Sequence, residues 1–236
     1  KIMKITAIYA TERKGVSTTY ILAQKAINEL RDDDKVYEFF LPKDMNHFCR
    51  GCYQCFEGYP EKCGGYEKIH AIRDAMNKSD LIIFTAPVYV FHIPGQLKAL
   101  LDHFACEWMV HRPNGKMFTK QALIITTAAG GGMRSTIRDI KDSMNFWGVG
   151  RLYTYSSATW HPRKPEMTGK VTEEMEGAIL KICRKIRKRA GHVKPRLKVK
   201  LLFYTYGRLL HKMTPESIDS MYWKEQGWLD KVRPWK

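Results

Sequence analysis

Four of the six cysteines stand close together as Cys49, Cys52, Cys55 and Cys63, in the pattern Cys-x2-Cys-x2-Cys-x7-Cys. Thiolates two residues apart can wrap one face of an iron–sulfur cubane, and a fourth from further along completes its coordination. The spacing predicts a [4Fe–4S] site on these four residues, although a zinc ion or free thiols would be compatible with it. Only Cys106 and Cys183 lie elsewhere, and disulfides are not expected in a reducing compartment. His47 flanks the motif and reads as a surface residue.

A second group of residues suits a phosphate. Ala10 to Thr19 reads Ala-Thr-Glu-Arg-Lys-Gly-Val-Ser-Thr-Thr. Hydroxyls and unpaired backbone N–H groups at the start of a helix, beside Arg13, supply donors and a favourable dipole for a dianion. Ser17 or Thr18 acting only as a helix cap would use the same groups. Neither a Walker A spacing nor Gly-x-Gly-x-x-Gly occurs, which argues against a nucleoside triphosphatase. Two further stretches could border a flat ring such as an isoalloxazine. Ala86–Lys98 offers an aromatic face and backbone amides through Pro87, Val88, Tyr89, Val90 and Phe91. Thr127–Met133 brings Gly130, Gly131 and Gly132, which let the main chain approach a ligand closely. Core packing of Tyr89 and Phe91, and a plain flexible turn at the glycines, are the bland alternatives.

The elements that must hold these loops are legible as an alternation. Met3–Tyr9, Val36–Leu41, Leu81–Pro87, Ala122–Thr127 and Leu152–Ser157 read as strands. Ser17–Leu30, Ile69–Asn77, Gln96–Cys106, Ser135–Phe146 and Glu173–Arg189 read as helices. The pattern predicts an α/β fold with a doubly wound, five-stranded parallel sheet. Such a sheet places its ligand outside the carboxyl ends of the strands, where the strand order switches. The loops after strands one, three and four are the candidates.

These features resemble the NADPH-dependent FMN reductase and iron–sulfur flavoprotein group of the flavodoxin-like superfamily, over roughly residues 3–190. The resemblance is carried by Thr11–Thr19, by Pro87–Tyr89 leading to Gln96–Asp102 (Gln-Leu-Lys-x-x-x-Asp), and by Thr127–Gly132. The family's usual Gly-Ser opening of the phosphate loop is Ala10-Thr11 here, which retains a hydroxyl. The resemblance implies that Thr11, Arg13, Ser17, Thr18 and Thr19 hold the FMN phosphate. It implies that Pro87, Val88, Tyr89 and Val90 flank the flavin together with Thr127, Ala128, Ala129, Gly130, Gly131 and Gly132, with Lys98 and Asp102 structural. It names no catalytic side chain, because the flavin carries the redox chemistry. The implied function is an NAD(P)H-dependent FMN oxidoreductase that reduces a small acceptor such as a quinone or flavin. The alternative is an FMN/iron–sulfur electron-transfer flavoprotein serving a protein partner, its [4Fe–4S] cluster near the flavin of a neighbouring subunit. A homodimer or homotetramer is implied, with flavin sites completed between subunits.

Charge separates the chain into two parts. The net charge is +16, but residues 184–236 hold 15 Lys/Arg and 4 Asp/Glu, a net of +11, leaving +5 for the rest. Residues 1–190 are expected to form the FMN-binding domain, and residues 191–236 a basic, aromatic C-terminal extension packing on that domain or on a neighbouring subunit. No groove-reading or RNA-binding motif accompanies the charge, so no nucleic-acid partner is expected. Leu197–Met213 has the pattern of a basic amphipathic helix, for which packing or a solvated face is preferred over a membrane surface. Tyr222, Trp223 and Trp228 suit a subunit interface or a lid. The apolar runs Leu81–Phe84 and Ala122–Ile125 fall far short of the roughly 20 residues of a membrane span. Lys1–Tyr9 lacks the features of a secretory signal, and a cytoplasmic protein is expected.

Overall fold

Apolar residues without alternation fill the centre of the sheet. β1 (Met3–Tyr9), β3 (Leu81–Pro87) and β4 (Gln121–Ala128) bury nearly every side chain, as strands covered by helices on both faces must. β2 (Arg31–Phe40) and β5 (Arg151–Ala158) form the edges. All pairings are parallel, in the order β2-β1-β3-β4-β5. This is the predicted doubly wound sheet. The computed structural model describes residues 3–159 and 172–236, apart from the side chains of residues 32–35.

Helices α1 (Thr18–Leu30) and α5 (Glu173–Arg189) cover one face of the sheet, where Leu22, Ile27, Ile179 and Ile186 pack on Ile5, Ile83 and Ile125. Helices α2 (Tyr66–Lys78), α3 (Gly95–Asp102) and α4 (Met133–Phe146) cover the other, through Ile72, Leu97, Leu100, Ile140 and Met144 on Ile82, Phe84 and Ile124. From β1 the chain moves outward to β2 and returns past β1 to β3. Connections therefore diverge between β1 and β3, and a crevice opens there at the carboxyl edge.

Two boundaries differ from expectation. β2 begins at Arg31 instead of Val36, because Arg31 already pairs with Met3 before the register shifts. The helix expected over Gln96–Cys106 ends at Asp102, and the next residue, His103, turns its ring toward His47 and Cys63.

Beyond residue 190, α6 (Leu197–Leu202) runs through a wide helical turn, Phe203–Leu209, into α7 (Leu210–Met213), and α8 (Ile218–Glu225) follows. The inner side of this run forms a third core, with Val199, Phe203, Trp223 and Trp228 on Met109 and Phe118. The two tryptophans are thus buried within their own chain. Gly207 makes the wide turn fit, since a Cβ there would lie 2.0 Å from the Trp223 ring. Among the described residues no helix is long and apolar enough to cross a membrane.

Candidate functional site

The loop after β1 is built to leave donors free. Ala10 is pinned by its N–H to the Thr85 carbonyl at 2.9 Å and by Gln96 Nε2, which donates to the Ala10 carbonyl at 2.8 Å. The chain then turns, and α1 starts after Ser17, whose side chain makes no capping hydrogen bond. The first turn of α1 carries no acidic residue. Its leading N–H groups lack intrahelical partners and its dipole is uncompensated, so an anion is favoured there. Thr11, Thr18 and Thr19 are buried around this point, with Ser17 Oγ 3.0 Å from Thr19 Oγ1, while Arg13 is exposed above it. All five phosphate candidates are therefore grouped on one loop and helix start, and their donor chemistry fits a phosphate.

The loops after β3 and β4 interlock beside it. Tyr89 and His92 exchange two backbone hydrogen bonds of 3.0 Å, closing a tight hairpin with Val90 and Phe91 at its tip. Val90 and Phe91 have φ of 46° and 65°, a left-handed pair that favours glycine or asparagine and is unfavourable for a β-branched residue. The neighbouring chain supports them. Val88 N–H donates to Thr127 O at 2.9 Å, Ser135 Oγ donates to Phe91 O, and His92 Nδ1 meets Asp139 Oδ2 at 2.9 Å. Gly132 has φ +85°, and a Cβ there would come within 2.6 Å of Val88 Cγ1 and 2.7 Å of the Phe91 main chain. Only glycine allows that approach. Pro87 and Val88 are half-buried, Thr127 and Ala128 buried, and Tyr89, Val90, Ala129, Gly130 and Gly131 exposed. Tyr89 and Phe91 are thus not core aromatics. The three loops border the carboxyl edge over neighbouring strands, with the apolar tip in solvent.

The cysteine motif lies in the long connection from β2 to α2. Cys49 and Cys52 are exposed, and Cys55 and Cys63 half-buried. All four line a single cavity of about 430 Å³, together with His47 and His103. Their sulfurs are not drawn into the compact cage of a four-cysteine zinc ion. Among the described residues the donor atoms that gather within 4.8 Å of one another belong to His47, Cys63 and His103. Four cysteines around one cavity offer the kind and number of ligands that an iron–sulfur cluster takes at its corners. The neighbouring Cys106 thiol lowers the Cys55 pKa, while its pairing with Cys55 and its own burial raise that of Cys106.

Side chains from distant elements hold this loop. His103 Nδ1 lies 3.7 Å from Cys63 Sγ, and its Nε2 lies 3.1 Å from the His47 carbonyl. Burial lowers the His103 pKa. Arg112 donates to the carbonyls of Cys55 and Phe56 and pairs with Asp219, which also accepts from His111 at 2.7 Å. Asp219 belongs to α8, so the extension is tied to the cysteine loop. His47 is therefore not a plain surface residue. Its position two residues before Cys49 was the available signal; His103 and Arg112 carried none.

A family model described as NADPH-dependent FMN reductase matches residues 3–161. An iron–sulfur flavoprotein of Methanosarcina thermophila is 29% identical over 175 residues, covering 72% of this chain and 89% of that protein. An FMN-dependent NADH:quinone oxidoreductase of Pelagibacter ubique (strain HTCC1062) is 30% identical over 173 residues, covering 66% of this chain and 89% of that protein. The solved structure of an FMN-dependent NADH-azoreductase from Bacillus anthracis str. Ames Ancestor, in complex with FMN, has a TM-score of 0.60 at 12% identity. It covers 78% of this chain and 99% of its own, a likeness of fold. The chain therefore belongs to the NADPH-dependent FMN reductase family, as an NAD(P)H-dependent FMN oxidoreductase of flavodoxin-like fold.

Proposed function

We propose that the protein transfers electrons from NAD(P)H, by way of FMN held at the carboxyl edge of the sheet, to a small acceptor of the quinone or flavin type. The observation that carries this reading is the uncapped start of α1, with its buried hydroxyls, set beside the interlocked loops after β3 and β4. Thr11, Arg13, Ser17, Thr18 and Thr19 hold the phosphate. Pro87, Val88, Tyr89 and Val90, with Thr127, Ala128, Ala129, Gly130, Gly131 and Gly132, border the ring. Bound FMN supplies hydride acceptance and release of electrons singly or in pairs. The chain's part is to orient the ring and to present backbone N–H groups to charge that develops on it. The exposed Val90–Phe91 tip favours a second subunit closing the site, as a homodimer or homotetramer. The cytoplasm, a reducing compartment, is where such a cysteine-rich loop would keep its thiols available as ligands.

A second reading, an FMN/iron–sulfur carrier serving a protein partner, is favoured by the four cysteines around one cavity. Cys49, Cys52, Cys55 and Cys63 would hold a [4Fe–4S] cluster that relays single electrons. One experiment separates the readings: anaerobic visible spectroscopy with iron and acid-labile sulfide assays, followed by NAD(P)H oxidation with a water-soluble quinone. Flavin bands, negligible iron and rapid quinone reduction are expected for the reductase. About four irons per chain with slow quinone reduction would favour the carrier. Protein that takes up no FMN would refute both.

A further inference from the structure

Between α4 and the start of α6 lies a cavity of about 540 Å³, lined by Arg134, Arg138, Lys141 and Lys198 with Met133 and Ile137. Its size is that of a small-molecule site. Arg134, Arg138 and Lys141 stand at i, i+4 and i+7 and so share one face of α4, while Lys198 is brought in by the extension. One carboxylate, Asp142, also lines the cavity, as do Ser156 and Asn145. Among the described residues none of the four cations makes an ion pair within 4.0 Å. Four like charges around one concavity repel each other, and an isolated fold gains nothing from that arrangement. A bound anion removes the repulsion.

The position of the cavity narrows the anion. α4 begins directly after Gly132, at the glycine loop that borders the proposed flavin, and Arg134 is its second residue. At 1.5 Å per residue, Lys141 stands roughly 14 Å along the helix from Gly132. A ligand with one end at the ring and an anionic end in this cavity must therefore be extended, with its charge remote from its reacting end. A phosphorylated nicotinamide dinucleotide has that shape. Met133 and Ile137 offer apolar surface between the two ends for a base.

We propose that Arg138, Lys141 and Lys198 form the binding site for the adenosine 2′-phosphate of NADPH, with Arg134 nearer the ring beside the diphosphate, and that this site makes the protein prefer NADPH over NADH. The inference rests on the reductase reading for its substrate. Charge-assisted contacts to a phosphate act at the remote end, so they select the dinucleotide and leave hydride transfer alone. Arg134, at the positive end of the α4 dipole, favours the diphosphate that NADH and NADPH share.

The test uses the FMN-loaded full chain. Calorimetry with adenosine 2′,5′-bisphosphate against adenosine 5′-monophosphate gives a readout independent of turnover. The bisphosphate is expected to bind roughly thirtyfold more tightly, as one or two charge-assisted hydrogen bonds imply. The double variant Arg138→Glu/Lys198→Glu should abolish that margin and lower kcat/KM for NADPH by a similar factor, with NADH turnover unchanged. Its thermal midpoint should stay level or rise, because a like-charge cluster has been relieved. Equal binding of the two adenosine nucleotides would overturn the proposal, as would an equal loss of NADH and NADPH turnover in the variant. So would inorganic phosphate that competes as tightly as the bisphosphate, since the site would then read an anion without its nucleotide. If neither dinucleotide is oxidised while the bisphosphate still binds in a variant-sensitive way, the reductase reading fails and the phosphate site stands.

Discussion

The flavin rim and the cysteine loop sit on the same chain yet are held in opposite ways. The rim is made by three short connections whose ends are fixed by buried strands, and its decisive contacts are main-chain ones: Ala10 to Thr85, Val88 to Thr127, and the Tyr89–His92 pair. The cysteine loop, residues 41–65, has a short 3-10 helix at Pro60–Lys62 and local turns within Leu41–Asp44 and Tyr53–Tyr59, but no strand that pairs it with the sheet. It is tied to the rest of the fold by the side chains of His103 and Arg112, which reach the carbonyls of His47, Cys55 and Phe56. A site fixed by its backbone is in place before any ligand arrives, whereas one braced by side chains is only as rigid as its braces.

Removing a brace is the severest way to probe that difference. Arg112→Ala would leave two loop carbonyls unpartnered and Asp219 with His111 alone, and should cost about 3 kcal/mol of stability, the low end of the range for breaking a buried pair. Denaturant unfolding measures the loss, and limited proteolysis should cut between Cys49 and Cys63. FMN affinity should change little; a fall in proportion to stability would show that the two regions are one unit. The converse probe is Gly132→Val, which puts a branched side chain at φ +85° and a Cβ against Val88. About 3 kcal/mol is expected from strain and overlap together. FMN retention should drop while the reactivity of the four loop thiols stays unchanged.

A third probe uses acidity. Burial lowers the His211 pKa to about 4 from its ordinary 6.5, and Nδ1 contacts Ser220 Oγ at 3.1 Å in the extension. Between pH 6.5 and 4 the unfolded chain takes up a proton that the folded chain refuses, so stability falls as pH falls through that window. The loss should approach about 2–3 kcal/mol and disappear in His211→Gln, with the rim's FMN affinity following a shallower course. The smallest effect is expected from Ser17→Ala. Its hydroxyl makes no capping bond, so the apoprotein should keep its stability, while FMN binds about tenfold more weakly for the loss of one donor to a phosphate.

Legibility in the sequence divides along the same line. Strands β1, β3 and β4 were readable because buried parallel strands are continuous apolar runs, and the rim loops because they follow those runs directly. The cysteine motif was readable from spacing alone. The left-handed tip at Val90–Phe91 was not, since neither residue type announces a positive φ. His103 was hidden because its contact with Cys63 spans 40 positions, and Arg112 because its contact with Cys55 spans 57. Trp223 and Trp228 announced burial but not its place: Gly207 lets Trp223 lie against the wide turn of the extension instead of against a neighbour.

The Arg112 contact with Asp219 on one side and the Cys55 and Phe56 carbonyls on the other makes a thermodynamic linkage between regions distant in sequence. Linkage of this kind is reciprocal. Whatever free energy the folded extension contributes to ordering the cysteine loop, occupancy of that loop must return to the extension. The thermal stability of the last 40 or so residues is therefore a reporter of what the thiols have bound, readable without observing the thiols at all.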